Sequence, residues 1–379
     1  MGNMKEIRAK TLPPSSKYFG EEMRNLEKLL NKLDEHTQRV EDELSKTKTD
    51  LWWRINEVEK LLSKKMDLYA MQLYRKSGES NLDARIRLFE NLPDADEPLL
   101  TYQKVNSKLL KEFSSLCKAY GLNYWMGFGS LVATLGRGRE IPWDDDIDVC
   151  MLSEDIESLA EKLTNNETFS VRLVYDYYAK NRQYRFIPND PNIHNFIDIA
   201  VHDWAISFDA NANKVYREIL EKMENEIEKC DDLAYWREEV FIYTGPDIAK
   251  NKDISKAKEN IKIIESIFNK YKGIATEKGV LCARNKAKAI AFGLDNSWDY
   301  VPGRLSFIWD KKLILPTKQS AYNGIRVSVP NKAREFNDLI YPGWPYLPND
   351  IFSHLQHFVK DLIENAEALE AMRNYLNEE

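Results

Sequence analysis

Apolar residues recur early in the chain in alternating four- and three-residue steps: Leu26, Leu30, Leu33, Thr37, Val40, Leu44, Thr47, Leu51, Arg54, Val58, Leu61, Lys65 and Leu68. Nine of these thirteen positions are apolar, and no Gly or Pro falls between Glu21 and Lys76. That spacing predicts a coiled-coil helix over residues 21–76, about six heptads long, whose expected role is homo-oligomerisation. Residues 1–20, with Pro13-Pro14-Ser15-Ser16, read as a flexible leader. Residues 77–97 read as a linker, because Ser77-Gly78 and Pro93 to Pro98 punctuate them.

From Leu99 to Tyr120 the apolar positions Tyr102, Val105, Leu109, Phe113, Leu116 and Tyr120 return to helical spacing, and Gly121 follows as a left-handed cap. Shorter elements come next. Strands are expected at 122–128, 146–152 and 194–201, a short helix at 130–135, and a helix capped by Ser153 to about Leu163. A hairpin is expected across 169–178 and 182–187. Beyond Asn213 the chain reads as helical and charged to about Lys272, then as strand and turn from 311 to 330, then as a last helix from about Asp350 to Leu376. The mixture predicts an α+β fold: a mixed β-sheet with packed helices, preceded by the long N-terminal helix.

Composition narrows the function classes. The chain of 379 residues has 54 Lys+Arg against 61 Asp+Glu, a formal charge of −7, which argues against a general nucleic-acid binder. No apolar run is long enough to predict a transmembrane segment, and nothing apolar follows the first basic residues as a secretory signal would require. The four cysteines, Cys117, Cys150, Cys230 and Cys282, form no metal or disulfide spacing and suit a reducing compartment. The expected location is cytoplasmic, with peripheral attachment to the inner face of the cell membrane.

The chemistry concentrates in Ile141-Pro142-Trp143-Asp144-Asp145-Asp146-Ile147-Asp148-Val149. Acids this dense repel one another unless a cation offsets them. On a strand, Asp146 and Asp148 would face one way and Ile147 and Val149 the other, an arrangement suited to Mg²⁺ or Mn²⁺. An EF-hand loop opening at Asp144 would need Gly sixth and Glu twelfth, but Val149 and Asp155 stand there. Gly129-Ser130, at an expected strand-to-helix junction, would let a phosphate approach the backbone, with Ser130 capping the helix and donating to it. Asp198, a lone acid in Phe196-Ile197-Asp198-Ile199-Ala200-Val201, is the expected third carboxylate, and Asp203 falls on the opposite face. Trp125, Trp143, Tyr175, Tyr177, Tyr178 and Trp204 offer rings for a quaternary-ammonium cage.

These residues resemble the LicD family of phosphotransferases, which includes the fukutin-type enzymes and branches from the DNA polymerase beta-like nucleotidyltransferases. The matching positions are Gly129-Ser130-Leu131 and Ile141 to Asp148, more loosely Phe196 to Ile199, then Tyr322 to Pro330 and Leu339 to Trp344. The resemblance spans roughly Leu99 to Tyr346. It departs at Gly136-Arg137-Gly138, where Arg-His-Gly is usual, at Glu140 in place of Phe, and at Asn323 in place of an acid.

The resemblance implies a nucleotidyltransferase-like catalytic core at 98–212, completed by residues 213–379. It implies transfer of a phospho-alcohol from a CDP-linked donor to a sugar hydroxyl of a glycan acceptor, with release of CMP. Asp146 and Asp148 would hold the cation, and Asp198 would complete its ligand set or accept the acceptor's proton. Gly129, Ser130 and Arg137 would contact phosphate, with Trp143, Asp144 and Asp145 on the substrate side. An NTP-dependent nucleotidyltransferase and a non-catalytic coiled-coil scaffold are the alternatives.

Overall fold

The computed structural model describes residues 73–296, 306–341 and 364–377, with scattered positions from 28 to 69. The chain divides into two units, Met1–Arg75 and Lys76–Glu379. In the first, the described positions before Arg75 are helical, and Thr37 Oγ1 donates back to Leu33 O at 2.9 Å. The leader and the seam positions Leu26, Leu44, Leu61 and Leu68 lie outside the described residues. The apolar seam positions that are described, Leu30, Leu33, Val40, Leu51 and Val58, are all exposed.

The second unit opens with α1 (Asn81–Glu90) inside the stretch expected as a linker. The Ser80 side chain accepts from Asp83 N at 3.1 Å and caps it. Phe89, at the end of α1, fills the space left by the missing side chain of Gly136. Helix α2 (Leu99–Tyr120) follows as expected and closes on Gly121 at φ +67°. There the Leu122 N–H reaches back to Cys117 O at 2.9 Å.

The sheet contains eight strands among the described residues. In chain order its first members are β1 (Tyr124–Met126), β2 (Asp148–Leu152), β3 (Phe169–Asp176), β4 (Asn181–Pro188) and β5 (Ile197–Ala205). Three short strands complete it: β6 (Phe241–Tyr243), β7 (Ala289–Phe292) and β8 (Ile308–Asp310). The order is β1-β2-β5-β4-β3-β6, with β7 and β8 branching from β5. Only the central β2–β5 pair is parallel, in register Asp148 to Asp198 through Leu152 to His202. Crossovers include α3 (Phe128–Gly136) and α4 (Ser153–Lys162), and α5 (Ala210–Lys229) packs against α7 (Ile254–Glu277), with the short α6 (Ala234–Glu239) between them in sequence. A separate hairpin, β9 (Lys318–Tyr322) and β10 (Ile325–Val329), follows α8 (Lys311–Ile314), and the last described helices are α9 (Ala333–Ile340) and α10 (Ala366–Asn377).

Several elements differ from the sequence expectation for local reasons. The first strand stops at Met126 because Phe128 adopts φ +41° and turns the chain into α3. The second begins at Asp148, so Asp146 lies on the approach loop and not on the strand. Ser153 is the first residue of α4 with no capping bond from Leu152 before it; its hydroxyl bonds Asp203 instead. Strands β6 and β7 went unanticipated: one is three residues inside a charged helical stretch, the other four apolar residues without alternation. Residues 350–363 of the expected last helix lie outside the described ones.

Where β4 and β7 part company along β5, side chains take over the ladder. Asn296 Nδ2 donates to Val201 O at 2.6 Å and its Oδ1 accepts from Val201 N at 3.2 Å, so one amide imitates a strand neighbour. Gly293 N also donates to Val201 O, at 2.9 Å, an approach that a side chain at Gly293 would block. Beside this turn, buried Asp295 binds the Arg182 guanidinium and Lys272 Nζ (2.7 Å), while Arg182 Nη1 reaches Glu265 at 2.6 Å. These cations hold the Asp295 carboxyl below the usual carboxylate range against the opposing effect of burial. Removing one member leaves buried charge uncompensated. Asp295→Ala should therefore cost about 3–5 kcal/mol in urea unfolding; a loss under ~1 kcal/mol, the size of a surface pair, would contradict this account.

Candidate active site

Parallel pairing of β2 with β5 sets Asp148 directly beside Asp198, and residues matched in register present their side chains to the same face. The loop before β2 then delivers Asp146. Carboxylate oxygens of Asp146, Asp148 and Asp198 lie within 4.8 Å of one another. Each residue is partly buried. Asp146 also belongs to a second such trio with Asp144 and Asp145, both buried. Asp203 sits on the opposite face beside Lys272.

Several groups fix the loop. Buried Gln103 on α2 donates through Nε2 to Ile141 O (3.0 Å) and Asp144 O (2.7 Å). Asn106, one turn further on, donates to Asp145 O at 3.2 Å and accepts from Asn195 Nδ2 at 2.7 Å. At the loop's exit, Asp198 N bonds Ile147 O at 3.0 Å. The signal for Gln103 and Asn106 was present: two amides placed beside Tyr102 and Val105, on the side of α2 expected to be apolar.

The Gly-Ser turn works differently from the expectation. Gly127 precedes α3 and no side chain caps the helix; Ser130 is inside its first turn and buried. Ser130 Oγ accepts from Asp148 N at 2.9 Å, so it orients the acid strand and does not stand open to a phosphate. A side chain at Gly127 would collide with Cys150, and Gly129 gives room to the Asp144 carboxylate. Arg137 also departs from its expected phosphate contact. Its guanidinium is buried and bonds Leu92 O at 3.0 Å and Pro93 O at 3.3 Å. Trp143 packs at the border of the core. The six rings weighed as a cage fall into separate groups: Trp125 meets His202, Tyr175 and Tyr177 meet Trp236, and Tyr178 is exposed.

Arg185 was missed. Its Nε donates to Asp198 Oδ1 at 3.2 Å and its guanidinium lies over the Phe196 ring. Asn181, Gln183 and Arg185 alternate on β4, a polar stripe that marks the face shared with Asp198. Burial raises the Asp198 carboxyl to about 7; Arg185 opposes that and Asp146 adds to it. Burial, and then repulsion from Asp146, Asp198, Asp144 and Asp145, raise Asp148 well above the ordinary range. Between Phe128, Asp148, Asn181, Asp198 and Asn296 lies a void of about 30 Å³, with room for a water or an ion and little else.

The strand-to-helix turn at Phe128, two parallel strands bearing adjacent acids and a third acid from the loop make up this site. Residues 121–233 match the family described as LicD/FKTN/FKRP, nucleotidyltransferase domain. The chain is also similar to the lipopolysaccharide cholinephosphotransferase LicD of Haemophilus influenzae, at 36% identity over 59 residues. That stretch covers 16% of this chain and 22% of the relative. The chain therefore carries a LicD family domain, and members of that family are generally transferases.

Because the folded Asp198 carboxyl sits near 7, above its unfolded value of ~4, its protonated form favours the fold. That contribution is complete below the unfolded value and is lost as pH rises through about 7. In EDTA, Asp198→Asn should melt above the unaltered protein at pH 8, with the gap closing by pH 4. A melting difference independent of pH would contradict the shift.

Proposed function

We propose that this protein is a metal-dependent phosphotransferase. It moves a phospho-alcohol, phosphocholine or a related group, from a CDP-linked donor to a sugar hydroxyl of a cell-surface glycan and releases CMP. The observation that carries this reading is the convergence of Asp146, Asp148 and Asp198 inside a LicD family domain. Three acid oxygens within 4.8 Å fit a hard divalent ion, whose oxygen bonds of about 2.0–2.6 Å can span such a set. Burial, and then repulsion from acidic neighbours that includes Asp146 in both cases, raise the proton affinity of Asp148 and Asp198.

In the reaction, the acceptor oxygen bonds to the phosphorus bearing the alcohol, the bond from that phosphorus to the CMP oxygen breaks, and the acceptor's proton passes to a carboxylate of the site, Asp198 being the candidate. A bound Mg²⁺ or Mn²⁺ would offset charge developing on the departing CMP. The protein's own part is positioning. Ser130 and the β5 ladder hold Asp148, Arg185 holds Asp198, and Gln103 and Asn106 hold the loop that carries Asp146. The void beside the acids is too small for a nucleotide, so the donor would lie outside it with only its phosphates approaching.

On this reading the CDP-linked donor would place the work on the cytoplasmic side, in peripheral contact with the membrane's inner face. The seam of residues 21–76, whose described apolar positions are exposed, would join copies of the chain. Asp148→Ala should lower CMP release from CDP-choline by at least roughly 100-fold, and EDTA should do the same until Mg²⁺ is restored. Unchanged turnover in the variant would refute the assignment, and pyrophosphate release from an NTP would indicate nucleotidyl transfer instead.

A further inference from the structure

A larger hollow of about 840 Å³ lies along the second half of α2, walled on the other side by the β9–β10 hairpin. Three of its lining residues are cations, Lys111, Lys118 and Arg326, and none is an acid. All three are exposed, and none makes an ion pair among the described residues. In a chain of formal charge −7, a hollow with this balance stands out against the overall field. Hydroxyls and an amide (Ser114, Ser115 and Gln319) sit between the charges. The walls are tied together rather than loosely apposed: Tyr124 OH bonds Ser114 Oγ at 2.6 Å and accepts from Ser328 N at 3.2 Å.

We propose that this hollow binds a phosphate- or carboxylate-bearing saccharide. Cations would meet the anionic group and the interleaved polar side chains would meet sugar hydroxyls. A nucleic-acid strand fits less well. Tyr124, the aromatic in the lining, is buried with its hydroxyl engaged, so no face is offered for base stacking. A bilayer surface also fits less well, because among the described residues none of the large exposed apolar side chains borders the hollow.

The position links it to the acid loop. Asn106 holds Asp145 O, and Lys111 and Lys118 follow on the same helix ~7.5 and ~18 Å further along its axis. At the near end, Asn323 bonds both Ser107 and Glu140, and Glu140 leads into the acid loop. On the reading that the acceptor is a sugar, the hollow holds the charged part of that acceptor while one hydroxyl extends toward Asp146.

Ligand-observed NMR on the full chain in EDTA tests the site without involving transfer. Glucose 6-phosphate should bind, glucose should not, and binding should weaken as NaCl rises. Lys118→Glu combined with Arg326→Glu should weaken glucose 6-phosphate binding at least tenfold, with the circular dichroism unchanged. Undiminished binding in that variant would overturn the proposal. So would inorganic phosphate binding as tightly as the sugar phosphate, or capture of phosphatidylcholine–phosphatidylglycerol vesicles in place of it. Because the readout is binding without metal, these failures would leave the transfer reading to be judged separately by CMP release.

Discussion

Everything in the site follows from one register: Asp148 and Asp198 lie side by side across the one parallel strand pair among the described residues. Burial raises the proton affinity of both acids; repulsion from its acidic neighbours, Asp146 and Asp198 foremost, adds to it at Asp148, and Asp146 adds to it at Asp198. The fold nonetheless holds them there with backbone bonds from both directions, Asp148 N to Ser130 and Asp198 N to Ile147. Arg185 already gives Asp198 one positive partner, and the divalent ion proposed above would give the three acids another.

The bracing extends across the sheet. Arg185 meets Asp198 on one face, while Arg182, the next residue but two before it, joins Asp295, Glu265 and Lys272 on the other. Strand β4 therefore serves the acid centre with one side and a buried ion cluster with the other. Asn296 extends this by completing the edge of β5 at Val201, two residues beyond Ile199.

How much of this could be read from the sequence depended on whether the signal was local. The acid run, the lone Asp198 and the α2 helix with its Gly121 cap each carry their pattern within a few residues, and the structure brings the acids together. What was missed required knowledge of neighbours. Ser130 reads locally as a cap, but the fold turns its oxygen to Asp148 N. Arg137 was a phosphate ligand only by resemblance, and α1 and the segment after it bring the carbonyls of Leu92 and Pro93 to it instead. Strand β7, four apolar residues, becomes recognisable as a strand only against the exposed edge of β5. The rings that could have formed a cage, spread from Trp125 to Trp204 in sequence, are divided between separate packing groups.

The most direct test is of the shared cation. Electron paramagnetic resonance of Mn²⁺ titrated with the full chain should show the free-ion signal suppressed as one site fills. Asp148→Asn and Asp198→Asn should each return that signal. If both variants take up Mn²⁺ as the unaltered chain does, the three carboxylates do not hold a metal together and the account of the centre is wrong.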